Sequence, residues 1–84
     1  PTSAAPSTHT LSGAALRGVQ KEIAALDRAV AKLSDRVNAK HVALADHDQS
    51  DHAGITRLTR ELRELEAERD DKENRWLELA ESIE

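Results

Sequence analysis

The sequence predicts an all-α fold, a two-helix antiparallel coiled-coil hairpin, and three observations lead there. Apolar residues recur in alternating steps of three and four along two separate stretches, a short polar link divides them, and the composition is that of long helices. Of the 84 residues, 33% are Lys, Arg, Asp or Glu, and the apolar set is Ala, Leu, Val and Ile with a single aromatic, Trp76. A chain of this length makes one domain, and its side chains are too small and too charged to fill a thick globular core.

Residues 1–11 begin PTSAAPSTHT, small and polar with two prolines and no apolar period, so they cannot bury enough surface to offset ordering. They are expected to form a flexible linker. Because the chain starts at Pro1 without Met, it is expected to be a piece excised from a longer protein. Thr10 or Ser12 can cap the helix that follows, since a hydroxyl accepts from backbone N–H groups that lack an intrahelical partner.

The hairpin is expected over 12–84, with a first helix at about 12–46. Its heptad seam runs Leu16, Val19, Ile23, Leu26, Val30, Leu33 and Val37, then Lys40 out of type, then Leu44, with β-branched residues recurring at a and Leu at d. A second helix, at about 51–84, repeats the period through Ile55, Leu58, Leu62, Leu65, Arg69, Lys72, Trp76, Leu79 and Ile83. Between the helices lies a tip loop at about 47–50, where Asp48 followed three residues later by Asp51 resembles an N-terminal capping box. A short link between long helices favours antiparallel neighbours.

Facing seam positions of an antiparallel pair have residue numbers with a constant sum. Val19 with Ile83, Ile23 with Leu79, Leu26 with Trp76, Val37 with Leu65 and Leu44 with Leu58 all give 102, so one register serves both helices. Charge agrees: residues 12–46 hold six basic and four acidic groups, and residues 51–84 hold six basic and eleven acidic groups. A basic helix beside an acidic one prefers this pairing to pairing with its own copy, so a monomer is expected, with intermolecular pairing of the two helices left open.

Several function classes fall away. The chain has no Cys, hence no disulfide and no thiolate metal site, and no apolar run approaches the ~20 residues of a membrane span. It reads as a soluble, cytoplasmic protein without membrane contact. No GxxxxGK[ST], GxSxG or HExxH occurs, so the chain is expected to be non-catalytic, with no cofactor and no metal of its own.

Four features remain to be weighed. The tip residues His47, Asp48, Asp51 and His52 include metal-ligand types at close spacing, but a solvated capping loop accounts for them. Arg69 and Lys72 interrupt the second seam, where long stems can cover apolar surface while their charges reach water and help to set register. Trp76, at an a position, is expected to pack in the core against Leu26. Arg17, Lys21, Arg28 and Lys32 occupy outer positions b, f, f and c of the first helix, and Arg57, Arg60 and Arg63 stand near the tip on the second. Such stripes can contact nucleic-acid phosphates, although solvated coiled-coil faces carry the same residues, and a net charge of −4 disfavours strong nonspecific binding.

The stretch LSGAALRGVQKEIAALDRAVAKLSDRV, the loop ALADHDQSD and the segment LTRELRELEAERDDKENRWLELAESIE resemble the C-terminal extension of actinobacterial ABC-F ATPases of the Uup-like group. RWLELAE and HDQSD carry most of that resemblance. It implies a parent protein with two tandem ATP-binding cassettes, using ATP and magnesium and lacking a membrane domain. The appendage itself would contact DNA or ribosomal RNA and adjoin its own cassettes. The family's nucleotide-binding residues have no counterpart in this chain, so none transfers to it. The alternative is a structural or protein-docking coiled coil without nucleic-acid binding.

Overall fold

The computed structural model describes residues 12–83. The linker expected at residues 1–11, with Thr10, lies outside the described residues, as does Glu84.

Two helices make up the fold, α1 (Gly13–Asp46) and α2 (His52–Ser82), packed against each other as a hairpin. At 1.5 Å per residue, the 34 residues of α1 form an arm of about 50 Å. The start of α1 follows from its cap: the Ser12 hydroxyl accepts from Ala15 N–H at 3.1 Å, and Ser12 C=O takes the first helical bond from Leu16 N–H at 2.8 Å.

Every expected seam position is buried or half-buried. Leu26, Leu33 and Val37 of α1 and Leu58, Leu62 and Leu79 of α2 are the buried apolar residues, and Val37 is the most enclosed at 3% exposure. The flanking b, c and f residues stay in water, because two helices enclose only one stripe each. Contacts between the helices agree with the expected register. Lys40 with Glu61, Arg69 with Ser34 and Arg75 with Glu22 have residue numbers summing to 101, 103 and 97, around the expected 102. Long charged side chains reach along the axis, which accounts for the largest departure.

The out-of-type seam residues find polar outlets at its edge. Lys40 donates to Glu61 Oε1 at 2.5 Å from a half-buried position, so its stem lines the seam while its charge is paired outside. Arg69 is half-buried and its Nη1 donates to Ser34 Oγ at 3.4 Å. Lys72 is also half-buried and makes no ion pair among the described residues. Trp76 sits at its expected seam position with the same partial burial as its seam neighbours Ile23 and Val30. It is half-buried, and its Nε1 is shut away from water with no hydrogen-bond partner. Leaving such a donor unsatisfied costs about 1–3 kcal/mol, which weakens this level of the seam.

The tip loop corrects one expectation: Asp48 does not cap α2. Asp51 is the N-cap, its Oδ1 accepting from Gly54 N–H at 3.1 Å, and Ile55 N–H donates to Asp51 C=O at 3.0 Å. Asp48 is occupied inside the loop, where its Oδ1 accepts from Ser50 N–H at 2.9 Å and from Ser50 Oγ at 2.8 Å. An aspartate serves a turn or a cap equally well, and the turn that brings Asp51 N–H onto Asp48 C=O decides which does which. The helix therefore starts at His52, in keeping with the expected start at about 51. Gln49 closes the other side, its Nε2 donating to Leu44 C=O at 3.1 Å and His47 C=O at 2.7 Å at the end of α1, where carbonyls lack helical partners.

Candidate nucleic-acid interface

All seven basic candidates, Arg17, Lys21, Arg28, Lys32, Arg57, Arg60 and Arg63, are exposed. None is in an ion pair among the described residues, so their charges remain available to an external anion. They do not, however, form one stripe. Lys21, Arg28 and Arg60 hold f positions, which point directly away from the partner helix, so the α1 group and the α2 group stand back to back. In the common register Arg63 is level with Ala39, about 10 Å further toward the tip than Lys32. The hairpin thus separates the candidates into a group running along α1 from its open end to just past its middle and a group on the tip half of α2.

The α2 group is the denser. Arg57, Arg60 and Arg63 fall within the first twelve residues of α2, about 16 Å of helix. Arg60 and Arg63 line an open surface hollow together with Thr56, Thr59, Ile55, Ala67 and the carboxylate of Glu64. Two guanidinium groups beside two hydroxyls supply the donors that phosphate oxygens accept from, and the hollow is open enough for a backbone to lie across it. Thr56 and Thr59 were not among the expected contacts. Their signal lies in the helical spacing, since 56, 59, 60 and 63 fall on one face.

The α1 group sits in a different field. Lys21, Arg28 and Lys32 are level with the open-end half of α2, which carries Asp70, Asp71, Glu73, Glu78 and Glu81 across the seam. On this level Arg75 of α2 is already committed, its Nε donating to Glu22 Oε2 at 3.0 Å and its Nη1 to Glu78 Oε1 at 3.3 Å. Glu22 and Glu78 hold the Arg75 guanidinium even more firmly protonated than usual, Glu22 first.

At the tip, His47 Nε2 lies 2.9 Å from Asp51 Oδ2, and that hydrogen bond is the main cause holding the Asp51 carboxyl below its ordinary range, followed by the bond from Gly54 N–H. The backbone N–H of Ser50 does the same for Asp48, and Lys40 for Glu61. Among the described residues no three His, Asp or Glu side chains converge as a metal site would require. Nor is any helix there long and apolar enough to cross a membrane.

Comparison with curated proteins returned no match. Comparison with solved structures likewise returned none. A family model does match, that of the ABC transporter C-terminal domain, over residues 17–81, which takes in nearly all of α1, the tip and α2. With the hairpin fold and the expected seam in place over that same span, the chain belongs to the ABC transporter C-terminal domain family.

Proposed function

We propose that this chain is the nucleic-acid-contacting arm of a soluble, cytoplasmic ABC-F ATPase of the Uup-like group, binding ribosomal RNA or DNA through phosphate contacts. The observation that carries this reading is the exposed set Arg57, Arg60 and Arg63, two of which line a hollow with Thr56 and Thr59, placed toward the tip of an arm that belongs to this family. A rigid arm holds those groups far from its attachment and pre-orders them, so less freedom is lost on binding. The chain itself performs no catalysis and holds no cofactor; ATP and magnesium belong to the cassettes of the parent protein. Arg17, Lys21, Arg28 and Lys32 serve as a secondary contact, weakened by the acidic flank of α2 at the same level.

The test is titration of the purified chain against fluorescent duplex DNA, single-stranded DNA and ribosomal RNA at low and physiological salt. Engagement of the three α2 arginines predicts a log–log salt slope of about −2.7 on duplex DNA and about −2.1 on single strands. Absence of binding at low salt would refute the proposal. A second reading, a protein-docking or spacing module, is favoured by the acidic character of α2 from Glu64 onward, and its mark is partner binding that survives high salt.

A further inference from the structure

A second groove lies on the flank of the hairpin, lined by Asp27, Val30, Glu73, Asn74, Trp76 and Leu77. Asp27 and Glu73 both hold e positions, which in an antiparallel pair flank the same side of the seam and face one another. Their residue numbers sum to 100, within two of the register, and both line the same groove. The opposite flank shows the ordinary solution, with Glu22 and Arg75 at g positions paired at 3.0 Å. Neither Asp27 nor Glu73 is in an ion pair among the described residues, and no basic side chain lines the groove. Its apolar lining is Val30, the half-buried Trp76, and Leu77, which is 51% exposed.

We propose that this groove docks a basic segment of a protein, one Arg or Lys side chain laying its stem on Trp76 and Leu77 and its cationic head between Asp27 and Glu73. The complement of two carboxylates beside an apolar lining is a cation on an apolar stem, which lysine and arginine alone supply among protein side chains. An indole in the lining adds cation–π attraction. Nucleic acid is the wrong occupant, because its phosphates meet Asp27 and Glu73. Glu73 lies ten residues beyond Arg63 on α2, about 15 Å along the helix and more than a Debye length at physiological salt. The arm therefore carries two surfaces of opposite preference that act independently.

Trp76 is the sole aromatic residue, so its fluorescence reports occupancy directly. The probe is a capped octapeptide of two Arg, two Leu and four Ala, with a control in which Gln replaces Arg. The Arg peptide is expected to change Trp76 emission saturably and the Gln peptide to leave it unchanged. Asp27→Asn with Glu73→Gln is expected to weaken the Arg peptide by about five- to thirtyfold. Asp35→Asn with Glu81→Gln removes the same charge away from the groove, and charge reversal at Arg57, Arg60 and Arg63 alters the other surface. Both leave peptide affinity within about twofold. All four carboxylates are exposed, and circular dichroism verifies the fold. Unchanged Trp76 emission with the Arg peptide, or equal weakening by both carboxylate pairs, overturns the proposal.

Discussion

Gly54 lets the tip close on itself. A Cβ there would fall 2.3 Å from His47 Nε2 and 2.4 Å from Asp51 Oδ2, so any larger residue pushes apart the pair that holds the cap. Gly18 has nothing within 4 Å of the same added atom. Gly18 and Gly54 therefore predict opposite responses to alanine. Gly18→Ala is expected to raise stability by about 0.5–1 kcal/mol through lower unfolded-state entropy, and Gly54→Ala to lose that gain because Asp51 must move. Thermal melts of both variants check this; an equal gain in both would show that the tip bond contributes nothing. Titration belongs to the same scale. Asp51, Asp48 and Glu61 are held below the ordinary carboxylate range, chiefly by His47, Ser50 and Lys40 respectively. Groups with depressed folded values contribute fully above their unfolded values, near pH 4, and lose that contribution as the pH falls through the folded ones. The melting temperature is thus expected to fall as the solution is acidified below about pH 4, and less so in Asp51→Asn. An identical decline in that variant would remove Asp51 from the account.

Each helix is amphipathic on a narrow stripe, and its seam shows what sequence conveys and what it withholds. The steps from Leu16 to Leu44 and from Ile55 to Ile83 made the seam legible because in a helix pair it is chiefly the a and d positions that leave water. Arg69 and Lys72 were legible as breaks; the structure adds that Arg69 finds Ser34 and that Lys72 finds no ion pair among the described residues. Arg69→Leu with Lys72→Leu is expected to stabilise the hairpin by about 1–3 kcal/mol, because leucine buries more apolar surface at these half-buried sites. Chemical denaturation measures this, and a loss of stability or a shift to dimers would instead make the two cations guardians of register. The exact cap was not legible. Asp48 and Asp51 are chemically identical, and only the turn between them assigns one to the loop and the other to α2.

For the molecule as a whole, folding back the chain decides how charge is distributed. The seven basic residues were visible in the sequence, and so was the register, but their separation emerges only when the f positions of antiparallel helices are set back to back. The same folding places a basic hollow toward the tip and an acidic, tryptophan-lined groove nearer the open end. Family membership fits such an arm, whose reach comes from two long helices and whose chemistry lies on their outer faces. Thr56 and Thr59 join the candidate contacts because only the folded surface shows them lining the same hollow as Arg60 and Arg63. The most direct measurement compares two charge reversals in one nucleic-acid titration at low salt. Arg57→Glu, Arg60→Glu and Arg63→Glu together are predicted to abolish binding, whereas Arg17→Glu, Lys21→Glu and Arg28→Glu reduce it about tenfold or less. Binding that persists after reversal on α2, or that vanishes only after reversal on α1, would contradict the assignment of the tip half of α2 as the nucleic-acid contact.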